Sequence, residues 1–246
     1  MITLDGVTKV YTLNKENSVT AVRDVSLKIE PGEFVIITGR SGSGKTTLLN
    51  LAAGLARPTS GKVWLDGVAL WDLPDKRQSL LRNEKMGFVF QFPSLLPSLT
   101  TLENVVLPTM FGSDLADGDI YRRAAELLQT VGLADKMAAY PRQLSAGQQQ
   151  RVVVARSLIN QPDLLLADEP TSDLDEQTEM EIMDLFQSIH ATTGITIVMV
   201  THTSQLVTHG TRAIQMAGGR ITSDSAVAAP TTAAVYGMTV VRQVEA

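Results

Sequence analysis

Residues 39–46 read GRSGSGKT, fitting G-x-x-x-x-G-K-[ST], and Thr47 follows. Residues of these types at this spacing suit a loop that cradles phosphates. Gly39, Gly42 and Gly44, with Arg40, Ser41 and Ser43 between them, let successive backbone N–H groups turn inward. Lys45 brings a positive charge to the β and γ phosphates, and the Thr46 hydroxyl suits Mg²⁺. The bland alternative is a Gly/Ser turn before an exposed lysine. Position weighs against it, because the motif lies between the apolar run FVIIT and the helical segment TTLLNLAAGL.

Further groups complement such a loop. Asp168 and Glu169 close the apolar run LLLAD. A carboxylate at the C-terminal end of a central parallel strand points into the crevice where open α/β sheets bind ligands. Asp168 is therefore the expected Mg²⁺ partner, through water, and Glu169 the expected base for an attacking water. His202 ends the neighbouring run IVMVT, where a neutral imidazole could contact the γ phosphate or orient Glu169. His190 and His209 read as structural. Gln91 ends GFVF, where an uncharged amide can sense metal or water. Lastly, Ser145 and Gln148, in LSAGQQQR, have the spacing of a capping box, so Ser145 starts a helix whose uncovered N–H groups can hold an anion. Taken alone, that is only a helix start.

The elements that must position these groups are legible as patterns. ITLDGVTKV and TAVRDVSLKIE alternate as half-buried antiparallel strands, and the polar TLNKENS links them. FVIIT, LLLAD and ITIVMVT are continuous apolar runs of the kind buried on both faces of a parallel sheet. GKVWLDGVAL reads as another strand, then a polar helix ends in LLRNEK before the strand MGFVFQ. Residues 92–112 are loop-like apart from the helical TLENVV. DIYRRAAELLQTVGL places Ile120, Ala124, Leu127, Leu128 and Val131 at helical spacing. Alternation of strand and helix in the second half predicts right-handed crossovers. The small-residue-rich segment from Ser223 reads as a loose tail in which MTVVRQV could pair at an edge.

Bulk properties narrow the function. A chain of 246 residues, 44% hydrophobic and 19% charged, buries a sizeable core. A net charge of −5 argues against binding nucleic acid by phosphate neutralisation. Absence of cysteine excludes disulfides and thiolate metal sites and points to a reducing compartment. MITLDGVTKVY lacks the organisation of a signal peptide, and the longest apolar runs fall far short of the roughly 20 residues that cross a bilayer. A membrane role would need a partner.

The ordered set GRSGSGKT, Gln91, LSAGQQQR, LLLADEP, SDLD and TH resembles the ATP-binding cassette (ABC) ATPases over residues 2–222. The resemblance implies an α/β P-loop cassette: a mixed, largely parallel core sheet, an N-terminal antiparallel β subdomain and a helical subdomain at about residues 92–160, with 223–246 as tail. ATP and Mg²⁺ would be the cofactors, and two copies would close head to tail, the signature of one capping the γ phosphate held by the other. Gly39 through Thr47 would form Walker A, Tyr11 would stack on adenine and Gln91 would be the Q-loop. Leu144, Ser145, Ala146, Gly147 and Gln148 would form the signature. Asp168 and Glu169 would be Walker B with the catalytic base, Ser172, Asp173, Leu174 and Asp175 the D-loop, and His202 the switch histidine.

LRNEKMGFVFQFPSLLPSLTTLENVVLP is similar to the lipoprotein-releasing and macrolide-exporting (LolD/MacB) type, which works with FtsX-like or MacB-type permeases at the cytoplasmic face of the membrane. There Phe92, Leu95 and Leu96 would line the groove for the permease. Two departures stand out: Ala146 where glycine is usual, and Asp173 where a small residue or Asn is usual. Helical backbone at Ala146 would make the first nearly harmless. Rival readings are a soluble cassette of DNA repair or translation, which usually carries a long coiled-coil insertion or second cassette not visible here, and a regulator that switches on nucleotide with little turnover.

Overall fold

A computed structural model describes residues 1–12, 14, 17–112 and 117–227. It contains two sheets. In the first, β1 (Ile2–Thr12) lies between β2 (Ser18–Ile29) and β4 (Ser60–Leu65), antiparallel to both, and the short β5 (Val68–Ala69) closes the edge. The single strand expected from GKVWLDGVAL is thus a hairpin. Asp66 and Gly67 both have positive φ, 49° and 79°, which is how an Asp-Gly pair turns a tight hairpin.

The second sheet has the order β10-β9-β3-β8-β7-β6. β6 (Met86–Val89), β7 (Leu164–Asp168), β8 (Thr196–Thr201), β3 (Phe34–Thr38) and β9 (Arg212–Ala217) run parallel, and β10 (Arg220–Ala226) returns antiparallel at the edge. Both faces are covered, so the three central strands carry apolar residues at nearly every position. Phe34, Ile36, Leu165, Ala167, Ile197 and Met199 face the helical side, while Val35, Ile37, Leu164, Leu166, Val198 and Val200 face the first sheet and α1 (Lys45–Ala52). That alternation is the period of two of a strand expressed on two cores.

On the helical side lie α3 (Thr101–Val106), α4 (Asp117–Thr130), α5 (Ala146–Ser157) and α6 (Glu176–Thr193); α2 (Asp75–Lys85) leads into β6. Ile120, Ala124, Leu128 and Val131 form the buried stripe of α4, with Leu127 partly buried beside it. α6 buries Ile182, Met183, Leu185, Phe186 and Ile189, each worth about 1.5–3 kcal/mol of transfer free energy. α4 and α5 cap one another: Arg123 donates to the carbonyls of Ile159 (2.7 Å) and Leu158 (3.1 Å), and Arg151 to that of Val131 (3.1 Å). These helices share one apolar cluster with the sheet face, so the helical part does not carry a separate core.

Residues 223–226, expected in the tail, belong instead to β10. Gly218 and Gly219, both at positive φ, fold β10 back so that Asp224 grips Arg212 on β9 through two bonds of 2.8 and 2.7 Å. Small-residue composition hid this strand. The possible edge strand MTVVRQV lies outside the described residues.

Candidate nucleotide site

β3 delivers the chain to the glycine loop and α1 carries it away. Gly44 is the N-cap of α1, with φ 100° and no side-chain cap, and no acid occupies the first turn. The first N–H groups of α1 are thus free of side-chain competitors, as an anion site requires. Gly44 is obligatory: a Cβ there would strike the carbonyl of Ala21. Ala21 is the extra residue of a β-bulge, since Lys9 pairs with Val22 and Val10 with Thr20, and the bulge aims its carbonyl at the loop. From the other side Gly219 N–H donates to the Ser43 carbonyl at 3.0 Å, and Arg23 N–H to the Gly219 carbonyl at 2.8 Å. The bulge and the Gly-Gly turn are site-supporting features that the motif reading missed, although RAIQMA-GG-RITSD carries the signal of a two-residue hairpin.

Lys45 is 4% exposed and lies across the loop, donating to the carbonyls of Gly39 (2.8 Å) and Arg40 (3.4 Å). Its Nζ is 3.6 Å from Glu169 Oε1. The Thr46 hydroxyl donates to Asp168 Oδ1 at 2.9 Å. Burial pushes the Asp168 carboxyl above its usual range; the Thr46 bond opposes this, the Glu169 charge adds to it, and Lys45 opposes. Ser43 Oγ is buried and makes no hydrogen bond among the described residues, an open polar atom inside the loop.

Glu169 follows β7 in the left-handed region, φ 46°, where a non-glycine residue is strained. Its N–H donates to the Val200 carbonyl at 2.9 Å, which fixes the turn against β8. One carboxylate oxygen faces Lys45 and the other lies 2.9 Å from His202 Nδ1. An ionised carboxylate only accepts, so Nδ1 carries the proton and Nε2 of the neutral ring is an acceptor. This contact is the one that orienting Glu169 needs; donating from Nε2 to a phosphate would need a protonated ring.

Thr46 and Asp168 present hard oxygen donors of the kind Mg²⁺ takes. No group of three or more His, Cys, Asp and Glu able to hold a metal occurs among the described residues. Mg²⁺ is commonly held by one or two protein oxygens, with phosphates and water completing its shell.

The remaining candidates lie apart from this knot. Gln91 leaves the sheet just beyond β6, whose Val89 is opposite Ala167, so it emerges beside Asp168 and Glu169 but makes no hydrogen bond to them. Tyr11, near the end of β1, is 40% exposed, with Lys9 Nζ 5.1 Å from its ring centroid. Ser145 caps α5: its hydroxyl accepts from Gln148 N–H (3.2 Å) and its own N–H donates to Gln148 Oε1 (3.0 Å), the box the spacing predicts. Ala146 is the first helical residue and exposed, so its methyl meets no conformational objection. Asp173 is exposed, while Asp175 caps α6 by accepting from Thr178 N–H and hydroxyl at 3.0 and 2.7 Å. His190 packs on Phe34 and bonds the Gly32 carbonyl, and His209 lies against the Leu206 carbonyl, both away from the acids.

A glycine loop on a helix N-terminus, a buried lysine and two strand-end acids define a P-loop nucleotide hydrolase. The chain belongs to the ABC transporter family, whose model matches residues 22–172, and is its ATP-hydrolysing cassette. It is 49% identical to an uncharacterized ABC transporter ATP-binding protein of Thermotoga maritima, over 89% of this chain and 92% of that one. It is 42% identical to the lipoprotein-releasing system ATP-binding protein LolD 1 of Chlorobium chlorochromatii, over 91% of each. The macrolide export ATP-binding/permease protein MacB of Syntrophobacter fumaroxidans is 43% identical, but this chain spans only 32% of it. Among solved structures, the dimeric cassette MJ0796 of Methanocaldococcus jannaschii, in a post-hydrolysis state bound to ADP and Pi, superposes with a TM-score of 0.85 at 40% identity, covering 93% of this chain and 99% of that one.

Proposed function

We propose that this cassette binds MgATP between two copies of itself and that closure of the pair drives a membrane permease. One observation carries the reading: Glu169, strained after β7, has one oxygen on Lys45 and the other on His202, beside the Thr46–Asp168 bond. In that arrangement Lys45 and the α1 N-terminus hold the β and γ phosphates. Thr46 and Asp168 would hold Mg²⁺, which when bound would neutralise phosphate charge. Glu169 accepts a proton from the attacking water while His202 fixes its carboxylate, and Gln91 reaches in from the loop after β6 to contact water or metal. Tyr11 stacks on the base. Ser145, Ala146, Gly147 and Gln148 face the nucleotide of the other copy, with Asp173 at the same junction.

Among the described residues no helix is long and apolar enough to cross a membrane, and in this reading the spanning part is supplied by a permease. It would hold the cassette at the cytoplasmic face. A groove of about 570 Å³, lined by Phe88, Phe90, Leu107, Pro108 and Phe111, is the docking place this reading favours. Phe92 and Leu96 are exposed nearby in sequence, whereas Leu95 packs on the core and drops out of the docking set. The LolD- and MacB-named relatives support an FtsX-like or MacB-type partner. Glu169→Gln tests the whole: it should slow ATP hydrolysis by at least about a hundredfold, while ATP should convert the chain from monomer to dimer in sedimentation. A variant that hydrolyses ATP normally, or stays monomeric with ATP, refutes the proposal.

A further inference from the structure

α5 begins at the signature and ends at a guanidinium. Its 12 residues span roughly 18 Å. In the last turn, Arg156 donates from Nη2 to the Pro93 carbonyl (2.9 Å) and from Nη1 to the Ser94 carbonyl (3.0 Å). Both acceptors belong to the loop that leaves Gln91. No carboxylate lies within ion-pairing distance of Arg156 among the described residues, and burial alone pushes its pKa down. A half-buried charge whose bonds are to two carbonyls loses part of its hydration, so keeping both bonds specifies the pairing. The loop accommodates it by holding Ser94 in the left-handed region, φ 47°. Beyond, Asn104 on α3 is fully buried and bonds the N–H and C=O of Leu96 and the carbonyls of Leu99 and Thr100. The segment after Gln91 is thus nailed to α5 at one point and α3 at another. Arg156 also lines the apolar groove.

We propose that Arg156 is a positioning residue that makes the signature end of α5 and the loop leaving Gln91 move as one body. The inference rests on the shared-site reading above. On that reading Gln91 senses the nucleotide on its own chain, while Ser145 faces the nucleotide on the other. Arg156 is the mechanical link between them: a shift of the loop as Gln91 meets its ligand is delivered along α5 to the partner's site. Without the pin the cassette still binds nucleotide but presents its signature without regard to whether its own site is filled.

The test uses the full chain carrying Glu169→Gln, with Arg156→Met or Arg156→Lys added. Dimerisation with ATP is read by sedimentation, nucleotide affinity of the monomer by a fluorescent ATP analogue, and folding by thermal melting. Arg156→Met should weaken ATP-driven dimerisation at least about tenfold, the equivalent of one charge-assisted bond. Monomer affinity should stay within about twofold of the parent, because the guanidinium makes no bond to the glycine loop. Arg156→Lys keeps the charge but not the fork that reaches two carbonyls, and should fall between parent and Met. If the Met variant does not fold, the Lys variant decides. Equal dimerisation in the variants that fold overturns the inference, as does loss of dimerisation in step with nucleotide affinity and melting temperature, which marks a purely structural role. A Glu169→Gln parent that stays monomeric with ATP overturns the shared-site reading and this inference with it.

Discussion

Two adjacent signature positions respond in opposite ways to one methyl group. Ala146 is exposed at the first turn of α5, so Ala146→Gly removes a methyl from open solvent and costs at most about 1 kcal/mol of helix propensity. Gly147 is buried, and a Cβ built on it would lie 2.5 Å from Thr178 Cγ2 on α6. Thr178 cannot turn away cheaply, because it is β-branched and its hydroxyl is committed to Asp175 Oδ2 at 2.7 Å. Gly147→Ala must therefore separate α5 from α6. Overpacking costs about 1–3 kcal/mol, helix propensity returns up to about 1, and a net loss of about 1–2 kcal/mol lowers Tm by about 2–8 °C in a chain this size. The same shift displaces the start of α5 from the segment at residues 172–175 that feeds α6, so on the function proposed above hydrolysis should fall by more than stability. Thr178→Ser deletes the colliding methyl but keeps the bond to Asp175; on its own it should cost under about 1 kcal/mol, and combined with Gly147→Ala it should restore most of the lost stability. Denaturant titration of the four forms gives the coupling, and ATPase assays give the activity. A coupling near zero, or a Gly147→Ala protein as stable as the parent, refutes the packing argument.

Two further perturbations probe the elements around the site. Asn104→Ala removes the partner of the Leu96 N–H and the Leu99 carbonyl, while the Leu96 and Thr100 carbonyls keep backbone donors, and should cost about 2–4 kcal/mol, read by denaturant titration. Asp224→Asn tests the β9–β10 hairpin through pH. The Arg212 bonds hold the Asp224 carboxyl below its ordinary value of about 3.9, so its contribution is present above that pH and is lost as pH falls through the lower folded value. The pair is partly exposed, so the parent should exceed the variant by about 0.5–1 kcal/mol at neutral pH. The difference should shrink as pH falls below the ordinary value; a gap that does not change with pH contradicts the assignment.

The site was legible where chemistry forces a residue type into a fixed local context. A strand must end in Asp168-Glu169, and a loop must supply glycines before Lys45. Periodicity then put both on the sheet, since runs such as FVIIT and LLLAD have no exposed face to encode. What the pattern lacked was pairing. Nothing local states that β8 lies between β3 and β7, yet that order sets His202 and the loop carrying Lys45 against Glu169. Parallel neighbours are chosen by crossovers and two-sided packing, which are long-range. Gly44 looks like a phosphate glycine from its motif alone; that it also yields to the Ala21 carbonyl follows only from a bulge opposite Lys9 and Val10. The two hairpins were different, because Asp66-Gly67 and Gly218-Gly219 are explicit local signals that the surrounding polar and small residues obscured.

These long-range contacts explain why so much of the molecule converges on one carboxylate. Glu169 is held in a disfavoured backbone conformation by the Val200 carbonyl, and its oxygens are shared between a lysine from β3's loop and a histidine from β8. The constraints come from two strands besides β7, namely β3 by way of the glycine loop and β8, so the carboxylate is placed only when these three lie side by side. Lys45 is buried and satisfied by Gly39, Arg40 and Glu169 before any phosphate arrives. A nucleotide must therefore compete with these contacts for the ammonium, and by drawing Lys45 toward phosphate it would free one oxygen of Glu169 for water while His202 keeps the other. On the function proposed above, substrate binding itself readies the base before the two copies close.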